Sequence, residues 1–381
     1  MPAPGPGPNP RRGPSRPTPP YPRAGLSRPT APNPRPEVAD LPLYRAGRPA
    51  GDDELKLSSN ENPFPPLPGV MERAAAALGR VNRYPDAGIN DLYDALAGTT
   101  GLPADRFAAG TGSVAVLFHL VSAFCGPDDE VVMPWRSFEA YPIAIASAGA
   151  TAVPVPLRAD ATHDLDAMAA AVTERTRAVL VCTPNNPTGP VVRQTDLDRL
   201  VASVPDDVLV VVDEAYVEFV RHVNAATGLS LLAAGRQNVV VLRTFSKAFG
   251  LAGLRVGYAI STPAVAEAIR KVTPPFSVTD LAQAAAVASL ESADELEERV
   301  EAVVAQRSLL VDGLRAQGWD LPDAQGNFVW LPLGGDAVPF AEAMHPIAVR
   351  PFAGEGVRIS VGSTEAVDRL LEASAWWRTG R

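Results

Sequence analysis

The sequence predicts an α/β protein, a mostly parallel β-sheet with helices on both faces, joined to a smaller α+β unit. Three observations carry this. Short apolar, β-branched runs recur at 130–133, 152–155, 178–182, 208–212, 238–242 and 256–260. Helical stretches such as 195–202 alternate with them, which is the pattern of strands joined by helical crossovers. After Pro274-Pro275 the pattern changes to long helices at 284–290 and 293–313, followed by strand-like runs at 327–331 and 356–361.

Taken in order, residues 1–35 are dominated by Pro, Gly and Arg. They lack the apolar side chains that offset the entropy of ordering, and a disordered tail is expected. A tail of this composition could also serve as a polyproline ligand. It has no apolar h-region of a secretory signal. An arm spans 36–62. Residues 63–275 form the large domain and 276–381 the small one. In the large domain the alanine-rich stretch 70–78 reads as helix, and a second helix starts near Asn90 or Asp91. Gly110-Thr111-Gly112-Ser113 precedes the apolar stretch 114–124; glycines and a hydroxyl at a helix start make an anion-binding nest.

At 381 residues the chain is long for a single core and suits two domains. Its net charge of −9 argues against a nucleic-acid or anionic-membrane partner. No apolar run is long enough to span a bilayer. Two cysteines, Cys125 and Cys182, make neither a disulfide framework nor a zinc site, and a cytoplasmic setting is expected. The histidines at 119, 163, 222 and 345 show no metal-ligand spacing and are read as structural, so no metal is expected.

Three strand ends carry the chemistry. Residues 242–257 read LRTFSKAFGLAGLRVG, which crowds Thr244, Ser246, Lys247 and Arg255 beyond an apolar strand. A lysine able to form a Schiff base, beside hydroxyls and a guanidinium able to hold a phosphate, suits a phosphorylated aldehyde such as pyridoxal 5'-phosphate (PLP). The run 178–182 leads into Thr183-Pro-Asn-Asn-Pro-Thr-Gly189, and 208–212 into Asp213-Glu-Ala-Tyr216. Open α/β sheets bind ligands at these carboxyl ends. A carboxylate there can keep a pyridine nitrogen protonated, while an amide and a phenol bond a ring oxygen.

These motifs, with Ser59-Asn-Glu-Asn-Pro63 and Asn82-Arg-Tyr-Pro85, resemble those of fold-type I PLP-dependent aminotransferases, in the histidinol-phosphate aminotransferase branch. Trp135-Arg-Ser-Phe-Glu-Ala-Tyr-Pro142, Asn327-Phe-Val-Trp330 and Val349-Arg-Pro-Phe352 resemble more closely the actinobacterial aromatic amino acid aminotransferases. The resemblance implies a fold-type I transferase that moves amino groups between amino acids and 2-oxo acids, as a homodimer with a shared active site, and it implies that the arm, 36–62, joins the small domain. It implies Lys247 as the catalytic lysine, Asp213 at the pyridinium nitrogen, and Asn186 and Tyr216 at the ring oxygen. Thr244, Ser246 and Arg255 would hold the phosphate, with the amides around Gly112 and Ser113. Phe138 would stack on the ring, and Tyr84 would reach the phosphate of the neighbouring subunit. Arg358 would clamp the substrate carboxylate, with Asn60, Asn327 and Arg350 nearby.

An apolar substrate pocket including Trp135, Tyr141 and Trp330 is expected. Only the compact segment 351–357 separates Arg350 from Arg358, which does not resemble an added phosphate site. That weighs against histidinol phosphate as the substrate. Decarboxylation of a phosphorylated amino acid is a further alternative. A transcriptional regulator is disfavoured, because residues 1–35 do not resemble a DNA-binding domain.

Overall fold

The computed structural model describes residues 33–39, 41, 43, 44, 47, 51 and 54–380; the expected tail lies almost entirely outside them. A single-turn helix, Pro36–Ala39 (α1), precedes a two-residue strand, Leu55–Lys56 (β1). The large sheet is built from Phe107–Gly110 (β2), Glu130–Trp135 (β3), Thr151–Pro156 (β4), Thr176–Cys182 (β5), Leu209–Asp213 (β6), Val239–Thr244 (β7) and Gly257–Ile260 (β8). The strands lie in the order β2-β8-β7-β6-β5-β3-β4. Neighbours from β4 to β7 are parallel, while β8 runs antiparallel to both β7 and β2.

Successive side chains of a strand point to opposite faces, and this alternation gives the sheet two cores. Val132, Val179, Val181, Val210, Val212, Val239 and Val241 face one side. There they meet Val70–Leu78 (α2), Asn90–Thr100 (α3), Leu165–Ala170 (α4), Gln194–Ser203 (α5) and Asp280–Glu291 (α6). Val131, Met133, Ala178, Leu180, Cys182, Val211, Val240 and Leu242 face the other. They pack on Ser113–Phe124 (α7), Ala140–Ser147 (α8) and Pro263–Val272 (α9). Strands buried on both faces read as the continuous apolar runs seen in the sequence.

The second unit holds an antiparallel sheet of Phe328–Leu331 (β9), Arg350–Phe352 (β10) and Gly356–Ser360 (β11), in the order β10-β11-β9. Its core of Val329, Leu331, Phe340, Val357, Ile359 and Leu370 is separate from the other two. The long helix Ala293–Ala316 (α10) joins the units, with Val300 and Val303 in the large core and Leu310 and Leu314 in the small one. The arm is tied to this second unit: β1 pairs in parallel with Ile347–Ala348, and Leu57 packs into its core.

Candidate active site

The carboxyl ends of β5, β6 and β7 open onto a cavity of about 290 Å³, closed from the opposite side by the arm and by β10 and β11. Of the side chains singled out in the sequence, it is lined by Ser113, Phe138, Asn186, Asp213, Tyr216, Thr244, Ser246, Lys247, Arg255, Arg350 and Arg358.

Lys247 follows β7, and its Nζ donates to the backbone carbonyls of Ser59 (3.3 Å) and Asn60 (3.2 Å). Burial and the positive charge of Arg358 lower its pKa to about 7, with Arg255 adding to the effect against Glu61 and Asp213. Near neutrality a large fraction is therefore the nucleophilic neutral amine.

Asp213 ends β6. Burial raises its pKa to about 6, moderated by the Tyr141 hydroxyl, which donates to Oδ2 at 2.8 Å. Its other oxygen, Oδ1, is buried with no hydrogen-bond partner. A buried acceptor left open toward a cavity is costly unless a ligand donor meets it. Tyr216 receives a hydrogen bond on its hydroxyl from Asn60 Nδ2 at 3.0 Å.

One end of the cavity is an anion cradle. Arg255 Nη1 donates to Ser246 Oγ at 3.1 Å, and the Ser246 amide to Thr244 Oγ1 at 3.1 Å. Ser113 begins α7 and lines the same cavity, and a helix N-terminus favours an anion. Gly112 does not line the cavity but lets the cradle close. It has φ +86°, and a Cβ there would collide with the Arg255 guanidinium. Gly257 plays a similar part from β8, since a side chain would run into the Ser113 amide.

The opposite end holds Arg358, on β11. Its Nη1 donates to Asn186 Oδ1 at 2.6 Å and its Nη2 to the Ser58 carbonyl at 2.8 Å, while Nε is buried without a partner. Asn60 and Asn327 sit behind this end rather than in the cavity wall. Asn327 Nδ2 donates to the Asn60 carbonyl at 3.1 Å, and the Asn60 amide to Ser360 Oγ at 2.7 Å.

Tyr84 lies away from the cavity of its own chain, 79% exposed and stacked on Phe276 at 4.5 Å.

The expected apolar pocket is not made by the three aromatic residues proposed for it. Tyr141 is turned beneath Asp213. Trp135 carries the Arg136 guanidinium on its ring at 4.2 Å and does not line the cavity. Trp330 packs on Phe352 and lines a separate groove with Val191, Arg193 and Leu321. The aromatic rings at the cavity are Phe138, Tyr216 and Tyr44, and the last was missed in the sequence. Also missed were the arm carbonyls of Ser58 and Ser59 and the ion pair of Glu139 with Arg350 (3.0 Å). Tyr141, three residues after Phe138, packs edge-on against it.

This combination of a mostly parallel sheet, a half-neutral lysine, an open buried carboxylate and an anion cradle defines a PLP-dependent enzyme, and the chain belongs to the family of class I and II aminotransferases, whose model matches residues 52–373. It is 53% identical over 347 residues to the aromatic amino acid aminotransferase of Streptomyces coelicolor, covering 90% of this chain and 96% of that one. It is 50% identical over 338 residues to the enzyme of the same name from Cutibacterium acnes, covering 88% and 96%. Among solved structures, the histidinol-phosphate aminotransferase of Sinorhizobium meliloti, in complex with PLP, superposes with a TM-score of 0.81 at 28% identity, over 93% of this chain and 99% of that one. No helix among the described residues is long and apolar enough to cross a membrane.

Proposed function

We propose that this aminotransferase moves amino groups between aromatic amino acids and 2-oxo acids. The convergence of Lys247, the open Oδ1 of Asp213 and the open Nε of Arg358 on one cavity is the observation that carries this reading of the site. The aromatic substrate rests on the relatives at 50% and 53% identity.

The residues fit PLP. The orphaned Asp213 Oδ1 suits a protonated pyridine nitrogen, and the cradle of Ser113, Thr244, Ser246 and Arg255 suits a phosphate dianion. When bound, PLP supplies an aldehyde that captures amino groups and a ring that takes up the electron pair left at the substrate Cα.

In this reading Asp213 would hold the ring nitrogen protonated, and Asn186 and Tyr216 would bond the ring oxygen. Phe138, at the cavity wall, would cover one ring face. Arg358 clamps the substrate carboxylate and fixes the Cα next to Lys247. With PLP bound, Lys247 would anchor its aldehyde and, as a free amine, would hold the proton taken from the substrate Cα. A neutral amine is required for that step, and its lowered pKa supplies one near neutrality.

The dimer, with Tyr84 reaching the partner's site, belongs to the same reading. The exposed Tyr84–Phe276 stack supports it, being a pair of aromatic rings left at the surface. We also assign the arm, residues 36–62, to the small domain, the large domain to 63–275 and the remainder to the small one. A cytoplasmic location is part of the proposal.

The test is kcat/KM with phenylalanine, alanine and histidinol phosphate. Phenylalanine is expected to lead alanine by at least about 100-fold, since a single methylene in an apolar pocket is already worth roughly 10- to 200-fold. Equal rates would sink the aromatic assignment, and release of carbon dioxide would sink transamination itself.

Two smaller effects follow from the geometry. Tyr141→Phe removes the hydroxyl that stabilises the Asp213 carboxylate. The acid limb of the pH–rate profile should then move to higher pH, with roughly tenfold lower activity below about pH 6. An unchanged limb would show that the hydroxyl does not tune Asp213. Gly257→Ala should push the Ser113 amide out of the cradle and weaken PLP binding by roughly 10- to 100-fold, read by equilibrium titration of the cofactor-free protein.

A further inference from the structure

Two arginines stand side by side at the substrate end. Arg350 and Arg358 are paired across the β10–β11 ladder, so their side chains leave the same face, and both line the cavity. Their surroundings differ. Arg358 donates to neutral partners, the Asn186 side-chain oxygen and the Ser58 carbonyl, and Glu139 acts on its charge only through space. Arg350 donates to the carboxylate of Glu139 at 3.0 Å. Glu139 lies 211 residues away, just before α8, and reaches across from the large unit. Both side chains are largely sheltered, at 12% and 31% exposure, so the pair is only weakly screened. A second pair of the same kind, Arg136 with Glu355, spans the two units nearby.

Among the described residues, two guanidinium groups thus converge at this end with one carboxylate paired to them. A carboxylate carries one negative charge and is matched by Arg358 alone. A phosphate monoester carries close to two, and desolvating it against a single cation is unfavourable.

We propose that Glu139 is a specificity-determining residue: by neutralising Arg350 it leaves a one-charge clamp that accepts an amino acid carboxylate and rejects a substrate bearing a phosphate dianion in that place. This rests on the proposed aminotransferase reading and names the residue that sets its substrate class. Glu139 acts through Arg350 and takes no part in the proton transfer.

The experiment uses the PLP-loaded protein and compares kcat/KM for phenylalanine and histidinol phosphate, with 2-oxoglutarate as acceptor. Glu139→Gln keeps the shape and hydrogen-bonding capacity and removes the charge. It is expected to shift the ratio toward histidinol phosphate by roughly 10- to 100-fold, mainly through KM. The double variant Glu139→Gln/Arg350→Met should lose that gain, because the gain needs the charge of Arg350. A Glu139→Gln ratio equal to that of the unaltered enzyme, or a gain that survives in the double variant, overturns the proposal.

A measurement needing no variant guards against misfolding. Inorganic phosphate at about 10 mM should inhibit phenylalanine turnover by the unaltered enzyme less than about twofold, and strong competitive inhibition overturns the proposal equally. If the unaltered enzyme turns over no aromatic amino acid, the functional reading itself fails. If it does and the ratio stays fixed, only the role of Glu139 falls.

Discussion

Lys247→Ala is expected to lower transamination by roughly 10⁴-fold or more, because one amine serves both as the covalent anchor and as the proton carrier. The variant should still bind PLP through the cradle at Ser246 and Arg255, but borohydride should no longer fix it to the protein. Mass spectrometry after reduction checks this, and a PLP-sized adduct elsewhere on the chain would overturn the assignment. The lysine pKa of about 7 adds a pH dependence whose sign is fixed. Below that value Lys247 is protonated and cannot attack an aldehyde. Capture of PLP by the cofactor-free protein should therefore rise about tenfold per pH unit up to about pH 7 and then level off. A rate that climbed steadily to pH 10 would mean an ordinary, solvated lysine.

Asp213→Asn should cost roughly 10²- to 10³-fold in kcat with little change in KM. An amide has the size of the carboxylate but no charge with which to hold the ring nitrogen protonated. The Tyr141 hydroxyl that now donates to Oδ2 would still find an acceptor in the amide oxygen, so folding should survive. Near-full activity in this variant would show that the ring nitrogen need not be protonated and would remove Asp213 from the mechanism. A loss confined to KM would point to a positioning role only.

The sheet was legible because its strands are buried on both faces. The runs at 178–182, 208–212 and 238–242 leave no alternative to central strands, and β5, β6 and β7 begin and end within two residues of them. The strands that escaped are short or lack β-branched residues. Neither Leu55–Lys56 nor Arg350–Phe352 carries a periodic signal, and Phe107–Gly110 ends in two alanines and a glycine. Their partners, not their composition, make them strands.

The site divides along the same line. Lys247 and Asn186 lie just beyond strand ends and Asp213 closes one, where chain position already points to a ligand. Side-chain direction was not legible. Trp135, Tyr141 and Trp330 read as one aromatic wall, and each is turned elsewhere by its helix or strand. The pairing of Glu139 with Arg350 joins segments that no local pattern connects.

The arm at Ser58–Asn60 is held at once by the last strand of the small sheet, through Arg358 and Ser360, and by Lys247 of the large unit. Asn60 and Ser360 are 300 residues apart. As the chain leaves the ribosome, every strand of the large sheet can pair before β11 has been made. The lysine and the phosphate cradle emerge early, but the wall that desolvates the lysine waits for the final segment. Competence to capture the cofactor is therefore acquired late and all at once, so a ribosome stalled before residue 350 would display a folded large unit that holds PLP only weakly.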